Sequence, residues 1–503
     1  MPNMTRLTST FSLEAQPEVF FSTTATSRAI RRHVAAGEIR HIHGRLYTRN
    51  LTTPVEDLTR RRAWDIAAGY FPDAVIVDRT AMELQPSGDE GSIFLCSRSQ
   101  RIVRLPGLVL NCRRGPGPAT GDQPFIGGGL YLSSWHRRLL DNMRPSRTRS
   151  GSDRTLSRAE IEEQLETLLL RQGEAALQRT RDEARPVAEE IGAQRELRQL
   201  DTLIGTLLGS RDGTLTSRRA RATVAGIGWD ERRLPLFDAL LAELHRFTPV
   251  DRPARPDHMG PPFAFFEAYF SNFIEGTEFL VGEAEEIVFH GAMPGERPAD
   301  AHDVLGTYDV VSDPRLRATV PSDLLSLERL LRTTHARMLS GRPEVSPGEY
   351  KTIANRAGNT TFVDPRLVRG TLAEGLKRQL MLPPGFPRAV FAMFLVSEVH
   401  PFVDGNGRVA RSLANAELSA AGQQRLIIPT VFRDDYLHAL RALSRQENAI
   451  PLVRALDRAQ ELCAQIDWAD LDQAEEELRR VYAFEAAADA EVAGAILRLP
   501  SEI

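Results

Sequence analysis

The sequence is poor in cysteine. Its 503 residues hold three, Cys96, Cys112 and Cys463. Their odd number and wide separation fit neither a disulfide framework nor zinc-ligand spacing, and they predict a reducing compartment. No run approaches 18 consecutive apolar residues, so no transmembrane helix and no membrane partner are expected. The opening MPNMTRLTSTFSLEAQ lacks the apolar centre of a secretory signal, and a cytoplasmic protein is expected. Lysine is almost missing. Lys351 and Lys377 are the only two, and neither follows a glycine, which excludes a Walker A loop. Net charge is only −4, which predicts no general affinity for nucleic acid but leaves room for a local basic patch. With 42% hydrophobic and 26% charged residues, the chain reads as a globular protein long enough for several cores.

The most informative stretch is His400-Pro401-Phe402-Val403-Asp404-Gly405-Asn406-Gly407-Arg408-Val409-Ala410-Arg411. An apolar helical run, Phe386 to Glu398, enters it, with Pro387 suited to a first turn. A second helical run, Arg408 to Ala421, leaves it. The Asp-Gly-Asn-Gly between them reads as a tight turn opening onto a helix N-terminus, where free N–H groups and the dipole favour an anion. Arg408 and Arg411 are three apart and predicted to share a face beside that site. His400 offers an imidazole base and Asp404 a hard oxygen ligand for Mg²⁺. A calcium loop beginning at Asp404 is excluded, because Arg408 stands where an oxygen ligand belongs and Asn415 where Glu belongs.

This stretch resembles the signature of the Fic family, HPFx[D/E]GNGRxxR, at every defined position. The resemblance runs over about residues 262 to 465, including Pro347-Gly348-Glu349-Tyr350 ahead of a hairpin signal centred on Gly358-Asn359. It implies an all-α bundle with a β-hairpin flap near Asn355 to Val363, against which an extended target segment aligns. It implies a protein adenylyltransferase that moves AMP from ATP to a Ser, Thr or Tyr hydroxyl. His400 is then the base, and Asp404 holds Mg²⁺. Gly405, Asn406 and Gly407 present the anion nest, Arg408 neutralises the β-phosphate, and Arg411 meets the γ-phosphate. Phe402 is expected to pack, Pro401 to stiffen the loop, and His335 to be a core histidine rather than a base. Relatives on this scaffold transfer UMP, phosphocholine or phosphate, or remove AMP; Asp404 and Arg408 favour a nucleoside triphosphate. Self-modification and a homodimer are further expectations.

Ser271-Asn272-Phe273-Ile274-Glu275-Gly276 is similar to the family's inhibitory sequence, [S/T]xxxE[G/N], at the end of an apolar helix spanning 263–276. Ser271 and Glu275 are four apart and share a helix face. The resemblance implies that Glu275 pairs with Arg411 and keeps ATP out of its productive pose.

The first half reads differently. Residues 17–63 combine a helix, Ala25 to Ala36, with a basic hairpin around Gly44. They resemble the winged-helix domain of abortive-infection-type antitoxins and regulators, with Arg28, Arg31, Arg32 and Arg45 as candidate DNA contacts. The rival reading is a basic protein-docking surface. Arg40 and Arg49 add to the same arginine excess. Residues 64–150, which end near Arg144-Pro145-Ser146-Arg147, are expected as a small α+β domain, and 151–250 as a helical linker region opened by a capping box at Ser157 and Glu160. Residues 261–465 are the expected catalytic domain and 466–503 a helical tail. A DNA-binding regulator whose enzyme domain only senses nucleotide, in the manner of a toxin–antitoxin system, is the expectation from another function class.

Overall fold

Short β-branched runs in the first half become strands, and long apolar runs in the second become helices, in the computed structural model of the protein. It describes residues 11–125, 127–146, 153–358, 360–485 and 497–502. Arg147, Asn359 at the turn of the expected flap, and 486–496 of the expected tail lie outside the described residues. Two units divide the chain, Met1–Val224 and Ala225–Ile503.

In the first unit β1 (Val19–Phe21) is followed by α1 (Ser27–Ala35) and a hairpin of β2 (Arg40–His43) and β3 (Leu46–Thr48). The sheet is antiparallel, in the order β1-β3-β2. Gly37 leaves α1 at φ 72°, a left-handed exit that glycine allows without strain. Then come α2 (Val55–Arg61), α3 (Ala63–Tyr70), β4 (Ala74–Ile76), α4 (Asp78–Glu83), β5 (Ser92–Ser97), β6 (Arg101–Leu105), β7 (Leu108–Arg114), β8 (Gln123–Pro124), β9 (Leu130–Leu132) and α5 (Trp135–Asn142). The strands form a mixed sheet ordered β6-β7-β5-β4-β9-β8. Residues 17–63 keep a small cluster of their own, Phe20, Ile30 and Ile39, and also pack with 64–150. Val19, Leu46 and Leu58 share one core with Ile66, Ile76, Leu95 and Leu110. A three-stranded sheet with one helix has too few apolar side chains to close a core alone, so it uses its neighbour's.

The stretch 151–250, expected as a linker, also divides. The helices α6 (Arg158–Gln172), α7 (Glu174–Ile191), α8 (Gln194–Leu207) and α9 (Arg218–Val224) belong to the first unit. The predicted capping box at Ser157 and Glu160 is present. Ile161, Leu165, Leu177, Leu200 and Ile204 pack with Leu139 and Leu140 of α5. By contrast, α10 (Leu234–Arg246) places Leu236, Phe237 and Leu240 in the core of the second unit. Both stretches carry an apolar stripe, and a stripe must be covered.

The second unit is helical: α11 (Pro261–Ile274), α12 (Val281–His290), α13 (Pro298–Ser312), α14 (Leu324–Met338), α15 (Val368–Gln379), α16 (Phe386–Val399), α17 (Asn406–Ala420), α18 (Arg433–Gln446), α19 (Ile450–Gln465) and α20 (Leu471–Arg480). A two-stranded hairpin, β10 (Arg356–Ala357) with β11 (Thr360–Thr361), stands between α14 and α15. Almost every residue of α16 is buried, which explains its apolar character all round. The expected tail contributes buried residues to the core. Trp468 and Leu478 pack against Phe263, Phe266 and Phe270 of α11.

Candidate active site

The loop between α16 and α17 is held by its own side chains. His400 closes α16 at φ 53°, a left-handed position that costs a non-glycine residue about 1 kcal/mol or more. Gly405 opens α17 at φ 73°, where a Cβ would lie 2.6 Å from Leu339 Cδ1, so both space and backbone demand glycine. Asn406 is turned inward. Its Oδ1 accepts from Phe402 N–H at 2.8 Å and its Nδ2 donates to Phe402 C=O at 3.0 Å. Phe402 is fully buried and lies flat on His335, 3.8 Å between ring centres. His335 accepts from Gly348 N–H through Nδ1 at 2.8 Å, so its Nε2–H donates to Asp404 C=O at 3.1 Å. Burial pushes its pKa down to about 4, and it stays neutral in this positioning role, as the sequence predicts.

His400 leaves one ring nitrogen open. Its Nδ1–H donates to Ser397 C=O at 3.2 Å, which leaves Nε2 with a free lone pair. Phe362, just beyond β11, stacks on the imidazole with ring centres 3.7 Å apart and planes 6° from parallel. Burial first, and then the nearby Lys351 charge, lower the His400 pKa to about 4, so the ring is neutral at physiological pH. Lys351 is itself pushed down to about 8 by burial and by Arg233. Its Nζ donates to Asn355 Oδ1 at 2.7 Å.

Arg408 and Arg411 have separate surroundings. Arg408 is buried; its Nη1 lies 2.7 Å from Asp303 Oδ2 and donates to Asn272 Oδ1 at 3.1 Å. Arg408, expected beside the anion site, is thus paired with Asp303, which is distant in sequence. Arg411 meets α11. Its Nε donates to Ser271 Oγ at 2.9 Å and its Nη2 to Glu275 Oε1 at 2.6 Å. The contact extends a helical turn in each direction. Asn415 Nδ2 donates to Glu267 Oε1 at 2.8 Å, and a Cβ on Gly407 would collide with Glu275 Oε1. Each step of four residues along α11 therefore meets a step of four back along α17, as antiparallel helices require. Arg425, 2.6 Å from Glu267 Oε2, neutralises the buried end of this ladder. Gly276, at φ 91°, turns the chain away directly after Glu275.

Asp404 keeps one oxygen occupied, Oδ1 accepting Gly405 N–H at 2.7 Å. Its Oδ2 is 3.6 Å from Arg408 Nη2 and 4.0 Å from Arg342 Nη2, and the side chain is 47% exposed. Among the described residues no three His, Cys, Asp or Glu side chains converge as a metal cage.

A cavity of about 680 Å³ brings the parts together. Glu275, His400, Gly407 and Arg411 line it with Phe362 and Thr360 of the hairpin region and Arg433, Tyr436 and Arg441 from α18. Asp404, Gly405, Asn406 and Arg408 stand outside its lining, as do Ser271 and Gly276. The sequence reading passed over Glu267, Asp303, Phe362 and Tyr436. Only Glu267 left a signal, its spacing of four from Ser271. In the first unit, Arg28, Arg31, Arg32 and Arg45 are exposed and form no ion pair with a described residue. Arg40 is spent on Asn50 C=O and Thr53 C=O, and Arg49 on Glu14 C=O.

Residues 324–418 match the model of the Fic/DOC family, so the chain carries a Fic domain there. It is 26% identical over 261 residues to Protein adenylyltransferase Fic of Drosophila persimilis, covering 50% of this chain and 49% of that protein. It is 29% identical over 188 residues to Protein adenylyltransferase fic-1 of Caenorhabditis elegans, covering 35% and 36%. The chain thus spans about half, or less, of the length of these relatives. A solved Fic-1 structure from C. elegans aligns with 61% of this chain and 89% of its own at 21% identity, with a TM-score of 0.35.

Proposed function

We propose that the second unit is a protein adenylyltransferase that moves AMP from ATP to a Ser, Thr or Tyr hydroxyl and is restrained by Glu275. The observation that carries this reading is the joint placement of a neutral His400, Gly407 at a helix N-terminus, and Arg411 around one 680 Å³ cavity. In the transfer, the acceptor oxygen bonds the α-phosphorus of ATP. The bond from that phosphorus to the α–β bridging oxygen breaks, and pyrophosphate leaves. His400 Nε2 takes the hydroxyl proton, which a neutral imidazole does at pH 7. The first N–H groups of α17 and the guanidinium of Arg411 stabilise phosphate charge. Asp404, one exposed carboxylate without a cage, fits a Mg²⁺ carried mainly by phosphate oxygens and water. When bound, that ion neutralises phosphate charge.

Glu275 sits on Gly407 and accepts from Arg411 Nη2, so it competes with the phosphates for that donor and for the helix N-terminus. The balance between the Glu275 pair and a phosphate sets the competent fraction. Transfer of UMP and removal of AMP remain alternatives on the same residues; parallel reactions with labelled ATP, labelled UTP and an AMP-modified protein separate them. The test of the main reading is transfer of label from α-labelled ATP to lysate proteins and to the chain itself. His400→Ala should abolish transfer and leave ATP affinity unchanged. Loss of ATP binding as well would make His400 structural and sink the assignment.

A second reading concerns the first unit, where α1 and the β2–β3 turn expose Arg28, Arg31, Arg32 and Arg45 without ion pairs to described residues. We propose DNA as their partner, with affinity falling steeply as salt rises. Gel shift of the full chain on its own upstream DNA tests this. No retardation at low salt, or an unchanged shift with Arg31→Ala/Arg45→Ala, would leave protein docking in its place.

A further inference from the structure

The hairpin beside the cavity has two outer edges, and they are not equivalent. Phe362 N–H donates to Asn355 C=O at 3.3 Å, and the register pairs Arg356 with Thr361 and Ala357 with Thr360. Bonded and non-bonded pairs alternate along an antiparallel ladder. Arg356 and Thr361 are therefore the non-bonded pair, and the N–H and C=O of each point outward, away from the other strand. On the β11 side that carbonyl is taken. Arg233 Nη2 donates to Thr361 C=O at 2.6 Å. Arg233 Nη1 forms a buried ion pair with Glu398 of α16, whose Oε2 accepts Ser444 Oγ–H at 2.5 Å. The base of this arm is fixed too, because Asp230 N–H donates to Thr371 Oγ1 at 2.9 Å. Arg445 Nη2 adds a bond to Thr360 Oγ1 at 3.2 Å. On the β10 side no described residue bonds the main chain of Arg356, and that residue is exposed.

We propose that Arg233 and Glu398 form a latch that closes the β11 edge and directs an extended acceptor segment onto the β10 edge at Arg356. The inference rests on the transferase reading and adds to it which edge receives the partner. Main-chain bonds set the register of an added strand, so a blocked edge fixes one register and one direction of approach to His400. Arg233 is a positioning residue here. It touches neither nucleotide nor acceptor, and acts through Thr361 and the stacked Phe362.

Two measurements on the full chain in the Glu275→Gly background test the proposal. The first is hydrogen exchange of residues 355–363. Arg233→Met/Glu398→Met removes the latch without leaving a buried charge unpaired. It should raise exchange there at least tenfold, whereas α16 and α17 keep their protection. Unchanged exchange overturns the latch whether or not the protein transfers AMP. The second compares labelling of lysate proteins from α-labelled ATP with release of free AMP to water. Arg356→Pro deletes the outward N–H, which an edge strand tolerates. It should lower protein labelling at least fivefold with AMP release within about twofold, and Arg356→Ala should label normally. Equal labelling by Arg356→Pro and Arg356→Ala overturns the edge assignment. If Glu275→Gly neither labels nor releases AMP, the transferase reading fails, and the edge assignment falls with it, while hydrogen exchange still decides the latch.

Discussion

Both units bury arginine–carboxylate pairs, and in the second unit one pair borders a cavity. In the first unit Arg113 lies 3.2 Å from Asp78 and 2.7 Å from Asp141, and Arg137 lies 2.6 Å from Asp122. The three carboxylates are at most 2% exposed, and every charge is answered from within. In the second unit Glu275 is 30% exposed, on the wall of a cavity and against a helix N-terminus. A closed network has nothing to exchange and serves folding. An open pair can trade its carboxylate for another anion. On the proposed function, the same chemistry serves as scaffold where it is closed and as switch where it borders the cavity.

The comparison makes predictions that separate activity from stability. The largest effect is expected from His400→Ala, a loss of about 10²–10⁴-fold in AMP transfer, because a positioned base contributes that much. Its denaturation midpoint should stay close to wild type, and a destabilised variant would blur the contrast. Next is Arg113→Met, which takes the nearest cation from Asp78 and Asp141, leaves them only Arg154 and Arg137 at 3.5 Å, and should cost about 3–5 kcal/mol in the urea transition of the full chain. Transfer by the molecules still folded should be unchanged; a loss of under about 1 kcal/mol would show the network to be dispensable. Third, Glu275→Gly should accelerate transfer roughly 10- to 150-fold, for a pair worth ~1.5–3 kcal/mol. If it labels no faster at any ATP concentration, the pair is scaffold like those of the first unit. If Glu275→Gly/Arg411→Ala stays as fast as the single variant, Arg411 is not what Glu275 restrains.

Smaller effects sharpen the contrast. Burial raises the Glu417 carboxyl on α17 to about 7, with Gln379 Nε2 donating to it at 2.8 Å. A raised carboxyl favours the folded state below its unfolded pKa and loses that advantage as pH rises through 7. Glu417→Gln should therefore gain about 1–3 kcal/mol at pH 8 and almost nothing near pH 4.5, read from urea midpoints. The smallest effect is a flat pH profile. With His400 held at about 4, transfer at pH 5.5 should stay within about twofold of that at pH 7.5. A tenfold fall would put His400 near an ordinary pKa of about 6.5 and remove burial as the reason for its neutral state.

Much of the site was legible because its chemistry is local. Gly405 before a helix, Asn406 within the turn and Ser271 four before Glu275 are spacings along one chain. The hairpin around Gly358 followed from turn chemistry in the same way. The first half was less legible. Its two expected domains share a core, because burial is settled between surfaces that no local pattern names.

By itself the sequence determined the helices entering and leaving the loop from His400 to Arg411, that loop itself, and the face carrying Ser271 and Glu275. Periodicity and turn residues act within a few positions, so these could be read without neighbours. The tertiary structure alone decided the antiparallel register of α11 and α17, which brings Glu275 to Gly407 and Arg411. It decided that Asp303 holds Arg408, that Arg233 holds the hairpin, and that α10 joins the second core. Each joins residues tens or hundreds of positions apart, and packing chooses among many such pairings by which surfaces fit and which buried charges find partners.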